Sequence, residues 1–203
     1  MPALSLHQLR GSSTIPLVLA SSSPRRIELM QAAGIRFQVH PARVRELDSK
    51  ALPPRDLCLA NAELKSRHVA SVIPDSLVVG ADTVVALPEE TLGKPSDLEE
   101  ARIMLLKLSG RIHEVLTGVC ILHKNQGTIC RFLEATRVKF RSAEDIDFDS
   151  YLARVNPLDK AGAYAAQDDE GALIESIEGS LSNVIGLPIE RLLEVLHQHA
   201  GSD

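Results

Sequence analysis

The chain has 203 residues, 44% of them hydrophobic, and a formal net charge of −5. That length builds one large domain or two small lobes, and the acidic balance argues against a general nucleic-acid binder. With 3% aromatics and no Trp, a stacking platform for bases is excluded too, so any anion site must be a local pocket of positive charge.

Residues 1–15 lack the basic-then-apolar pattern of a secretion signal and read as a flexible extension ahead of a single domain over 16–200. No apolar run approaches the roughly 20 residues of a membrane span. A cytoplasmic location and no membrane partner are therefore expected. Cys58, Cys120 and Cys130 show no metal-ligand spacing and read as reduced thiols.

Leu17–Ala20 reads as a buried strand, followed by a serine turn and a helix from Pro24 to Gly34. Ser23 suits the cap and Pro24 the first helical position. Free backbone N–H groups, the hydroxyls of Ser21 and Ser23, and the guanidiniums of Arg25 and Arg26 then surround one helix start, which favours an anion. Basic charge in a first turn opposes the helix dipole by a few tenths of a kcal/mol, a cost that an anion above it would offset.

A second helix follows Pro53-Pro54, with Leu57, Ala60, Leu64 and Val69 near helical spacing, and ends at Pro74. Leu77–Leu87 is an apolar, β-branched strand with one charge, Asp82. PEETLGKP makes a loop or a tight hairpin turn. Ser96 and Glu99 then read as a capping box for a helix to Leu108, closed by Gly110. Residues 112–122 and 128–140 form a hairpin about Lys124-Asn125-Gln126-Gly127. Ser142 caps a helix ending near Val155. Residues 156–171 are a polar, small-residue loop with room for a short strand, and Ala172–Ile177 is a further strand. Pro188 opens an amphipathic helix with Ile189, Leu192, Leu193 and Leu196 on its apolar face. Helices alternate with strands, but the hairpin argues against a purely parallel sheet. The expected class is α/β, a mixed sheet with flanking helices, in two lobes.

Several residues carry candidate chemistry, each beside a plainer reading. Asp82 is costly to bury unpaired. It is either a structural carboxylate at a strand end or a group that binds a divalent metal or takes a proton from water; Gly80 and Thr83 beside it suggest close approach to a ligand. Lys94, between Gly93 and Pro95, is a loop lysine or a phosphate contact. Lys65 shares its helix with Glu63 and Arg67 and on its own reads as solvated. Lys160, beside Gly162, is a loop charge or a ligand contact. Glu178-Gly179-Ser180 and Asn183–Pro188 make a strand–helix connection or a second anion-binding turn.

In order, LASSSPRR (19–26), LANAELKS (59–66), GADTVV (80–85), GKP (93–95), LSGRIHEVLTGV (108–119), DKAGAYAAQ (159–167) and EGSLSNVIGLP (178–188) resemble the motifs of the Maf family of nucleoside triphosphate pyrophosphatases, covering nearly the whole chain after residue 15. The resemblance implies an elongated α/β fold with a deep cleft between lobes, like the inosine-triphosphate pyrophosphatases. It implies hydrolysis of a nucleoside triphosphate to monophosphate and pyrophosphate with Mg²⁺ or Mn²⁺. It makes Asp82 the proton acceptor, Lys65 and Lys94 the cleft lysines, Ser21, Ser23, Arg25 and Arg26 the phosphate-binding turn, and Lys160 a substrate contact. Arg25, Thr83 and Gln167 are similar to the subtype acting on dTTP and UTP, or on modified pyrimidine nucleotides such as 5-methyl-UTP and pseudo-UTP, where the 7-methyl-GTP subtype has Trp, Gln and Glu. The family's paired acids after the second strand become Arg45-Glu46, leaving Glu46 beside Asp82 for a metal. A homodimer is implied. So is an alternative, a nucleotide-binding regulator of septum formation without turnover.

Overall fold

The computed structural model describes residues 15–48, 51–125 and 127–200. Apart from Ile15, the expected flexible extension over 1–15 lies outside the described residues. The chain runs β1 (Leu17–Leu19), α1 (Pro24–Ala32), β2 (Gln38–Val39), α2 (Pro54–Val72), β3 (Leu77–Ala86), β4 (Thr91–Leu92), α3 (Leu98–Leu108), β5 (Ile112–His123), β6 (Gly127–Phe140), α4 (Phe148–Arg154), β7 (Ile174–Glu178), α5 (Leu181–Ile185) and α6 (Ile189–Ala200). Among the described residues no helix is long and apolar enough to cross a membrane.

These strands form one seven-stranded mixed sheet in the order β2-β1-β3-β5-β6-β7, with β4 paired to the end of β3. β1 runs parallel to β2 and β3, and the rest of the ladder is antiparallel. The long strand β3 joins two lobes. Its first half packs through Val79 and Ala81 with Leu19, Met30, Leu187 and Leu192 on one face, and through Val78 with Val18, Ala62 and Val69 on the other. Near its end, Val85 enters a separate core with Leu105, Phe140, Tyr151 and Leu173. Asp82, opposite Gly118 of β5, lies where the two lobes meet.

Gly80 sets the depth of that junction. A Cβ there would lie 2.3 Å from the Ala62 carbonyl and the Ser66 hydroxyl of α2. The glycine therefore lets α2 lie directly on β3. The close approach expected at Gly80 is thus to a helix, not to a ligand.

Local chemistry moved two helix starts and left a third without its side-chain cap bond. Asp97, not Ser96, caps α3 by accepting from Glu100 N–H at 2.8 Å, while the Glu100 carboxylate accepts from Ser96 N–H at 2.6 Å. The box is shifted by one residue because aspartate caps as well as serine does. Ser142 precedes only a 3₁₀ turn at Ala143–Asp145, and Asp147 caps α4 through Ser150 N–H. Ser23 occupies the cap position of α1 without a side-chain cap bond; its N–H donates to Ser21 Oγ instead. The loop over 156–171 holds a 3₁₀ turn at Ala161–Ala163 rather than a strand, turned by Gly162 at φ 69°. The short elements β2 and α5 carry too few residues for a period to register.

Candidate active site

A cavity of about 280 Å³ opens between the lobes, lined by the 20–26 turn, Asp82 and Thr83 of β3, Lys65 of α2, Glu46, Lys94, residues of the 159–167 segment and the C-terminal end of α5 at Val184–Gly186. Ser21, Ser23, Arg25, Arg26, Glu46, Lys65, Asp82, Thr83, Lys94, Lys160 and Gln167 all line it, whereas of Glu178–Ser180 and Asn183–Pro188 only Val184, Ile185 and Gly186 do, and Ser180 instead caps α5 by accepting from Asn183 N–H. Five cationic and three anionic side chains line it, a local charge of +2 in a chain of net −5. That is the local positive pocket the composition required.

The floor is an ion cluster. Lys65 is buried, and its ammonium contacts Asp82 Oδ1 at 2.7 Å and Glu46 Oε2 at 3.1 Å. It is not the solvated lysine its helix suggested: Glu63 and Arg67 pair with each other on the outside of α2, while Lys65 points at β3. Asn61, one turn earlier, donates through Nδ2 to Asp82 Oδ2 at 3.2 Å. Both oxygens of Asp82 are therefore held before any ligand binds.

The two adjacent arginines do different things. Arg26 is buried, and it donates from Nε to the Gly186 carbonyl, from Nη1 to the Ala81 carbonyl and Ser21 Oγ, and from Nη2 to Thr83 Oγ1. Four of the five N–H donors of a guanidinium are thus spent on protein. Burial pushes this guanidinium below its ordinary pKa, against the pull of the Asp82 and Glu46 carboxylates. The expected pair of guanidiniums stacked over the helix start is corrected: Arg26 ties the serine turn to β3 and to Gly186. Thr83 is drawn into the same knot, its hydroxyl shared with Arg26, Thr117 and Gly186. Arg25, half-buried, reaches across the cleft to Asp159, with Nη1 on Oδ2 at 2.8 Å and Nη2 on the Asp159 carbonyl at 3.0 Å.

On the opposite wall Lys160 is buried and bonds the Asn156 carbonyl and Asp159 Oδ1. Burial works to raise the Asp159 carboxyl, but the hydrogen bonds from Lys160 and Arg25 carry it below its ordinary value. Lys94 and Gln167 are exposed at the rim. The Gly93 carbonyl accepts from Gly162 N–H at 3.0 Å, so the Lys94 loop is fastened to the 159–167 segment. Tyr164 closes this wall, its hydroxyl 2.9 Å from His113 Nε2. Asn61 and Asp159 are the site residues that the sequence reading passed over. Asn61 had a signal: it lies four residues before Lys65 on the same helical stripe as buried Leu57.

The donor set fits a divalent cation. Asp82 Oδ1 and Glu46 Oε2 converge on one point, now held by the Lys65 ammonium. Two carboxylates completed by phosphate oxygens is the kind of set that Mg²⁺ takes. Among the described residues no group of three or more His, Cys, Asp or Glu could hold a metal ion, so the arrangement suits a cation arriving with a polyphosphate better than a protein-only cage.

A family model described as Maf-like protein matches residues 16–199. The chain belongs to that family. Among its curated Maf relatives, the dTTP/UTP pyrophosphatase of Akkermansia muciniphila is 43% identical over 90% of this chain and 95% of its own. That of Anaeromyxobacter dehalogenans is 45% identical over 90% and 93%. That of Bacillus cereus is 40% identical over 93% and 92%. The Maf match begins at Pro16 and ends within α6, so it takes in every wall of the cleft.

Proposed function

We propose that this chain hydrolyses dTTP and UTP to the nucleoside monophosphate and pyrophosphate in the inter-lobe cleft. The observation that carries the reading is the buried Asp82–Lys65 pair, joined by Glu46, at the floor of a cationic pocket. Relatives named dTTP/UTP pyrophosphatase match over about nine-tenths of the chain, and this supports the choice of substrate.

The triphosphate lies along the floor. Arg25, Lys65, Lys94 and Lys160 neutralise its oxygens, with Ser21 and Ser23 at the turn. Arg26 contributes its charge and its one uncommitted donor while holding the turn in place. Phosphoryl transfer asks for positioning and charge neutralisation more than for covalent help. Water attacks the α-phosphorus, the bond from that phosphorus to the bridging oxygen breaks, and pyrophosphate leaves. Asp82 orients the water and accepts its proton. A divalent cation, Mg²⁺ or Mn²⁺, would be held by Asp82 and Glu46, and when bound it supplies further neutralisation of the phosphates. At the rim Gln167 reads the base: its amide offers a donor and an acceptor to the carbonyl–imide edge of thymine or uracil.

The test is a pyrophosphate-release assay with Mg²⁺ or Mn²⁺ over dTTP, UTP, 5-methyl-UTP, pseudo-UTP, CTP, GTP and 7-methyl-GTP. Release from the uracil and thymine nucleotides ahead of the rest is expected. Tight binding with no release from any of them would overturn the enzyme and favour a nucleotide-sensing protein.

A further inference from the structure

Glu46 sits in the irregular segment over 40–48, whereas Asp82 is fixed inside β3. Something must bring an exposed loop carboxylate to the buried one. Asn61 Oδ1 accepts from Leu47 N–H at 2.8 Å, and its Nδ2 donates to the Leu47 carbonyl at 3.4 Å and to Asp82 Oδ2 at 3.2 Å. This side chain is 2% exposed, and both of its amide groups are engaged. It grips the backbone of the residue next to Glu46 with one amide and touches Asp82 with the same group.

We propose that Asn61 is a positioning residue that sets the separation of the Glu46 and Asp82 carboxylates and so tunes the site for a divalent cation. The proposal rests on the reading of those two carboxylates given above. A purely structural asparagine would need only to satisfy the buried groups around it. Asn61 instead connects the only two carboxylates that meet at Lys65 among the described residues. Outer partners of metal-binding carboxylates typically govern affinity or activity by about 10- to 100-fold.

Three variants separate the arms of the contact. N61A removes both. L47P removes the Leu47 N–H while also fixing φ there and narrowing the backbone of Glu46, so N61A is the cleaner of the two; the Leu47 side chain is 42% exposed, so the core is untouched. N61D keeps the Oδ1 acceptor for Leu47 but faces Asp82 with an oxygen in place of the amide nitrogen. The measurements are dTTP turnover against Mn²⁺ concentration, and hydrogen–deuterium exchange over 42–48 in protein without metal.

N61A and L47P are expected to raise the half-saturating Mn²⁺ concentration by about tenfold or more, with little change in KM for dTTP at saturating Mn²⁺, and N61A is expected to exchange faster at the Leu47 N–H. N61D is expected to keep Leu47 protected while kcat falls. A merely structural role would lower the unfolding temperature without moving the Mn²⁺ dependence. An unchanged Mn²⁺ requirement in L47P, with N61A unchanged or unfolded, overturns the proposal, as does a loss confined to KM for dTTP. E46Q and D82N run alongside. If they retain full turnover and metal dependence, the carboxylate reading itself fails; if they lose both while N61A and L47P do not, only the role of Asn61 fails.

Discussion

On the floor of the cleft Asp82, Lys65 and Glu46 are paired with one another and braced by Asn61, while on the rim Lys94 and Gln167 stand exposed. The core of the floor, Asp82 and Lys65, is built from β3 and α2, two elements pressed together at Gly80, with Glu46 brought in from an irregular segment; the rim is built from loops. The buried Asp82–Lys65 pair has its geometry set before ligand arrives, so it suits chemistry that tolerates little displacement. An exposed lysine and an exposed amide are free to meet ligands of different shape. The division assigns turnover to the floor and recognition to the rim, and each assignment can be broken separately.

The largest effect belongs to the floor. Asp82→Asn keeps the shape and removes the proton acceptor, and kcat for dTTP is expected to fall by at least about a hundredfold with a smaller change in KM. Steady-state kinetics at saturating Mn²⁺ decides it; near-normal turnover would mean that the floor only binds. At the rim Lys94→Met removes a charge that has no ion-pair partner among the described residues. Loss of one charged contact to phosphate is expected to raise KM by about tenfold and to leave kcat much closer to normal. A kcat loss equal to that of Asp82→Asn would erase the distinction between the two regions.

Gln167→Glu tests recognition alone. The carboxylate accepts only, so one carbonyl of the thymine or uracil edge loses its donor. The expected result is a fall of about tenfold in kcat/KM for dTTP, with bases that present more donors losing less. An equal loss on every nucleotide would place Gln167 outside the base contact.

The same two regions differ in how far they can be read from the sequence. The strands, the long helices and the mixed sheet follow from periodicity and turn residues, and the cationic turn at 20–26 is visible as a string. Helical geometry also warned against one expectation: neighbours on a helix project about 100° apart, so Arg25 and Arg26 point differently. Which of them is buried, however, depends on Ala81, Thr83 and Gly186, residues 55 or more positions away. Lys65 looked solvated because the chain nearby supplies Glu63 and Arg67, whereas its real partners come from β3 and an irregular loop. Local pattern fixes elements; the partners of a charge are fixed by tertiary contacts that no short window contains.

The last prediction concerns the support behind the rim. His113 is buried with its Nε2 on the Tyr164 hydroxyl, and the ring stands edge-on to Phe140 and Tyr164, with centroids 5.0 and 5.5 Å away. Burial pushes its pKa down from 6.5 to about 4. Above pH 6.5 the ring is neutral both folded and unfolded, and its stabilising contribution is fully present. As pH falls from 6.5 toward 4 the unfolded chain takes up a proton that the folded one refuses, so stability declines, by about 1 kcal/mol near pH 5.5. His113→Phe removes the titration but strands the Tyr164 hydroxyl. The variant should be less stable near neutrality, by about 1–3 kcal/mol, yet flatter across the acid range. Urea unfolding at a series of pH values measures both. A slope equal to wild type would show that other groups carry the acid sensitivity, and the rim would then owe its footing to packing rather than to a neutral histidine.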